Sequence, residues 1–82
     1  MFAGTITGVK AVSSKKTGKD WKMIAFTGQE NTDGFKGAPV YTAFCDEESP
    51  YFGCMSDVVG NTLQYVLVAG KCAICSIEGF DD

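Results

Sequence analysis

The chain has 82 residues, 45% of them hydrophobic and 21% charged, with seven basic against ten acidic residues for a formal charge of −3. That balance belongs to one small folded domain, not to a disordered chain, and no run of the sequence approaches the ~18 apolar residues of a membrane helix. There is no histidine and every basic residue is lysine, so the commonest general base and the bidentate phosphate fork are both missing, and the chain is expected to bind without catalysing.

The opening stretch MFAGTITGVK lacks a basic segment followed by an apolar core, which argues against a secretory leader and for a cytoplasmic protein with no membrane association. Strand-forming residues over 2–12 predict a first strand, with Gly4 and Gly8 marking a bend or bulge. The polar stretch SSKKTGK then predicts a solvent-exposed hairpin tip, and residues 20–27 a second, antiparallel strand. Next, GQENTDGFKGAP reads as a long loop whose lone large apolar residue is Phe35.

A third strand is predicted over 40–46. Ser49 before Pro50 could then cap a short helix, of one or two turns at most, in EESPYFGCMSDVVGN. Strands four and five are predicted over 62–69 and 71–77 around a tight AGK turn, and the acidic end EGFDD is expected to fray. Three strands, a short helix and two more strands make an all-β domain of the five-stranded OB type, with an SH3-like barrel as the alternative.

Charge is segregated along the chain. Residues 1–36 carry six lysines against three acids, whereas residues 37–82 carry Lys71 against seven acids. Five of the lysines (Lys10, Lys15, Lys16, Lys19 and Lys22) fall between positions 10 and 22 beside Trp21, the one tryptophan. Such a field steers a polyanion to that hairpin. Alternation puts Lys22, Ile24 and Phe26 on one strand face and Trp21, Met23 and Ala25 on the other, so Trp21 is expected to face outward where a base could stack on it. A lysine-rich hairpin that serves only solubility, with the tryptophan in the core, is the competing interpretation.

The stretch TITGVKAVSSKKTGKDWKMIAF, residues 5–26, resembles the first hairpin of the small single-stranded DNA-binding proteins of single-stranded DNA phages, the filamentous-phage type. The resemblance implies an OB-type barrel, a homodimer in the host cytoplasm, and sequence-tolerant coating of single-stranded DNA. It places Lys15, Lys16 and Lys19 in the DNA-binding loop and Trp21 as the stacking aromatic, with Tyr41, Phe44 and Tyr65 as further stacking candidates. Members of that family usually use arginine in this loop, and this chain has none.

Cys72 and Cys75 form a C-x-x-C that, with Cys45 and Cys54, has the ligand count of a zinc site. KCAICSI alternates like a strand, however, which sends positions three apart to opposite faces. Free thiols are therefore the expectation, disulfides and zinc the alternatives, and no cofactor is implied. TGKDW lacks the glycine spacing of a P-loop, and the triplet Asp46, Glu47 and Glu48 reads as a solvated strand end. The rival function is a β-barrel protein-interaction module presenting YFGCM or Phe35 and binding no nucleic acid.

Overall fold

Residues 1–28 and 40–80 are described by the computed structural model. Five strands, β1 (Phe2–Ser13), β2 (Asp20–Thr27), β3 (Val40–Asp46), β4 (Thr62–Val68) and β5 (Lys71–Ile77), form one antiparallel sheet in the order β3-β2-β1-β4-β5. The first four follow a Greek-key order, with β4 returning by a long connection to lie beside β1. This is the order of the partly open OB barrel. The edge strands β3 and β5 approach each other, but no ladder joins them and the sheet stays open there.

Two bulges set which side chains face inward. In β1, Thr7 is an extra residue between the pairs Ile6–Phe26 and Gly8–Ala25, so Ile6 and Val9, three apart, both face the core. In β5, Cys75 is extra between Ile74, opposite Tyr65, and Ser76, opposite Gln64, so Ile74 and Ile77 do the same. The core gathers Ile6, Ile24, Phe26, Leu63, Tyr65 and Ile77, all essentially inaccessible. Gly4 is buried where β1 crosses Thr27, and a Cβ there would collide with the Thr27 carbonyl oxygen.

The connections differ from the sequence expectation in two places. No helix follows Ser49 and Pro50: residues 47–53 make successive turns, with Ser49 N–H donating to Asp46 O and Phe52 N–H to Ser49 O. The Ser49 hydroxyl accepts from Tyr51 N–H at 3.3 Å, and Tyr51, 8% exposed, donates its own hydroxyl to Cys75 O at 2.8 Å. A single 3₁₀ turn follows at Ser56–Val58. The end of the chain is also held through Phe80 and does not fray before it: Glu78 N–H donates to Thr62 O, and the Phe80 ring lies 5.8 Å from Tyr51.

The β4–β5 connection is a two-residue turn with positive φ at both Ala69 (52°) and Gly70 (79°). Such a turn matches strand twist, but its left-handed first position suits asparagine or glycine far better than alanine.

Candidate nucleic-acid interface

The β1–β2 hairpin has an ordered tip. Ser14 N–H donates to Lys19 O and Gly18 N–H to Ser14 O, both at 2.8 Å, while the Ser14 and Thr17 hydroxyls accept from Thr17 and Lys19 N–H. Gly18, at φ 70°, supplies the left-handed step that closes the loop. Below it, Ser13 Oγ donates to Asp20 Oδ1 at 2.7 Å, which occupies the hairpin's only carboxylate. Lys15, Lys16 and Lys19 are left exposed at the tip. Lys19 Nζ lies 5.6 Å from the centre of the Trp21 ring, a cation–π contact worth about 0.5–1 kcal/mol at an exposed site.

The strand register lays out the outer face as a grid. One row runs Val12, Trp21, Asp46 and the next runs Lys10, Met23, Phe44. Trp21 and Phe44 are therefore diagonal neighbours about 7–8 Å apart between backbones, with Phe44 57% exposed and Trp21 half-buried. Lys10 is exposed on the same face. Six of the sequence candidates thus come together: Lys10, Lys15, Lys16, Lys19, Trp21 and Phe44.

The other three do not join that face. Tyr65 is 0% exposed, with its ring 4.8 Å from Phe26 and 5.5 Å from Phe2, so it is core and presents no stacking surface. Lys22 points to the inner side, where Nζ donates to Cys54 O at 2.6 Å and sits 5.9 Å from the Phe52 ring. Tyr41 is half-buried on the inner side of β3, 6.2 Å from Tyr65, and lines a cleft beside that strand. Alternation along β4 (Leu63, then Tyr65) was the available signal for the buried tyrosine, and the same alternation had already paired Lys22 with Ile24 and Phe26.

The cleft beside β3 has a volume of about 850 Å³, and no pattern in the sequence marks it. It runs from the base of the lysine hairpin, at Val12 and Trp21, past Tyr41 and Phe44 to the β4–β5 turn. The long loop expected to close over this region lies, beyond Gly28, outside the described residues, as does Phe35.

All four cysteines are free thiols. Cys45 and Cys54 are buried, and burial pushes both thiols up; the nearby Asp57 carboxylate adds to the effect at Cys54, whereas at Cys45 a hydrogen bond with Ser49 opposes it. Cys72 is half-buried toward the cleft, and Cys75 is exposed at the β5 bulge. Among the described residues no three Cys, Asp or Glu side chains converge as metal ligands. Among the described residues no helix is long and apolar enough to cross a membrane. No family model, curated protein or solved structure matches this chain.

Proposed function

We propose that this protein binds single-stranded nucleic acid, DNA by preference, with little regard to sequence, and that it does so as a phage-encoded coat assembled from homodimers. The observation that carries the reading is the coincidence of an ordered tip bearing Lys15, Lys16 and Lys19 with two outward aromatic rings, Trp21 and Phe44, directly below it. Lysines on a backbone-tracking surface meet phosphates as point charges, and bases stack on the rings at ~1–3 kcal/mol each. Because every base has a π-face, such a surface tolerates any sequence.

The test uses Trp21 as reporter. Oligo-dT titrated at about 50 and 200 mM salt is expected to quench its emission, more weakly at the higher salt. Replacing Lys15, Lys16 and Lys19 together with alanine is expected to lower the slope of log affinity against log salt by about 2, at ~0.7 per phosphate contact. No quenching at either salt, with anisotropy also flat, would remove the reading.

The protein-interaction reading draws on a different place from the one expected. In YFGCM, Tyr51 and Cys54 are buried and Phe52 is half-buried, leaving Met55 as its exposed large apolar side chain. Exposed apolar side chains also stand at the end of β4, on Leu67 and Val68, and at Val40 and Val59. Binding through those residues would survive high salt.

A further inference from the structure

Two of the four thiols lie in the core and two outside it. Cys45, at the penultimate position of β3, and Cys54, just after the turns at 47–53, are 6% and 0% exposed and belong to one buried cluster. The nucleic-acid reading uses neither. A buried thiol ordinarily behaves as a small apolar group among apolar neighbours, but this pair has polar company. Lys22 stands opposite Cys45 in the β2–β3 ladder, and its Nζ donates to Cys54 O at 2.6 Å, so one side chain reaches from the first cysteine to the second. The Ser49 hydroxyl hydrogen-bonds the Cys45 thiol, and the Cys54 thiol responds to the charges of Asp57, Lys22 and Cys45.

The chain between the two cysteines is folded back on itself. Ser49 N–H donates to Asp46 O, Phe52 N–H to Ser49 O and Cys54 N–H to Tyr51 O, so successive turns return the backbone toward the end of β3. A disulfide asks for Cα atoms about 4.4–6.8 Å apart, the spacing of direct neighbours in a core. The same segment carries Tyr51, whose hydroxyl donates to Cys75 O, so whatever holds it also holds β5. Cys75 itself is outside this arrangement: it is exposed at the β5 bulge, with Sγ resting on Ala73 O at 3.9 Å.

We propose that Cys45 and Cys54 are a reversible dithiol–disulfide site, through which an oxidant of the peroxide class locks the 46–53 segment to the end of β3. Cys45, the more accessible of the two and hydrogen-bonded by Ser49, is the attacking thiol. Its sulfur takes one oxygen from the peroxide to give a sulfenic acid and one water. The Cys54 sulfur then displaces the hydroxyl, which leaves as a second water as the Sγ–Sγ bond forms. Two thiols lose two electrons and one peroxide gains them, and a dithiol reductant reverses the step. Burial holds both thiols protonated, so the lock sets slowly and answers sustained oxidation, not a brief pulse. The proposal is independent of the nucleic-acid reading.

The experiment uses the wild type and the Cys72→Ser/Cys75→Ser double variant, which keeps the buried pair and alters two side chains that are not fully buried. Each is held natively in excess hydrogen peroxide, remaining thiols are blocked with iodoacetamide, and the unreduced protein is cleaved after Glu47 and Glu48, which separates the two cysteines. The expected result by mass spectrometry is a monomer whose Cys45 and Cys54 peptides stay joined. The thermal midpoint is expected to rise by about 5–15 °C on closing so short a loop, and dithiothreitol is expected to return it. Cys54→Ala, treated in the same way, is expected to show no rise that dithiothreitol reverses.

Blocked or separately oxidised Cys45 and Cys54 in the double variant would overturn the site. A link that forms only in urea would do the same, because the two sulfurs would then meet only in the unfolded chain. A link that forms natively but leaves the midpoint unchanged or lower would overturn the lock.

Discussion

The two hairpins of this domain use the same antiparallel geometry for opposite ends. The β1–β2 hairpin keeps its core contribution, Ile24 and Phe26, on one face and exposes lysines and Trp21 elsewhere. The β4–β5 hairpin pairs with β1 only as far as Tyr65, opposite Phe2, so Leu63, Tyr65 and Ile77 anchor its base while Leu67, Val68 and Ala69 extend beyond the shared sheet. On the first arm Trp21 faces outward while Phe26 is core, and on the second Tyr65 is core. The same residue class thus does different work, decided by which face of the sheet the strand register gives it and not by chemistry.

The sharpest way to break this comparison is to remove one aromatic from each arm. Tyr65→Ala is expected to cost about 3–5 kcal/mol, the range for deleting a buried ring, out of the roughly 4–12 kcal/mol that a domain of this size has. Urea denaturation would show it as a large drop in midpoint. Trp21→Ala is expected to destabilise far less while weakening binding to oligo-dT, followed by anisotropy, by ~1–3 kcal/mol, roughly 5- to 150-fold. Equal stability losses in the two variants would mean that the arms are not distinct.

A smaller effect concerns pH. Cys45 and Cys54 sit where burial disfavours the thiolate, so their folded pKa values lie above the unfolded ones. A raised thiol pKa contributes stability that is complete below the unfolded value, about 8.5, and is lost as pH rises through the folded one. Thermal midpoints are therefore expected to fall above about pH 9, and Cys54→Ala is expected to fall less steeply than wild type. The smallest effect sharpens the second arm alone: Ala69→Asn, relieving a left-handed alanine, is expected to raise stability by about 0.5–1 kcal/mol in the same urea assay.

Much of the architecture was legible because the strands alternate cleanly. β2, β3 and β5 begin and end where polar punctuation and period-two patterning put them, and β1 runs one residue further than expected. The short helical turn expected after β3 is present, at Ser56–Val58, but not where Ser49 and Pro50 point, because they make the same local signal for a helix cap and for a turn. The deciding contact, the Tyr51 hydroxyl to Cys75 O, is long-range and invisible locally. The candidate interface was half legible. Charge clustering marked the hairpin tip, but Tyr65 was offered as a stacking ring because aromatic identity was weighed ahead of its alternation with Leu63. The cleft joins residues from β1, β2, β3 and the β4–β5 turn, and no single-strand pattern encodes such a meeting.

The bulge at Thr7 acts as a parity switch on the first strand. Before it, the even-numbered Gly4 and Ile6 are the buried positions; after it, the odd-numbered Val9 turns to the core and the even-numbered Lys10 and Val12 move outside. A side-chain period of two means that a one-residue shift of register inverts everything downstream. Were Thr7 paired in the ladder instead of bulged out of it, Lys10 would change sides with Val9, taking a positive charge into the core and an aliphatic side chain to the surface. Deleting Thr7 would instead close the bulge and leave both residues on the faces they now hold.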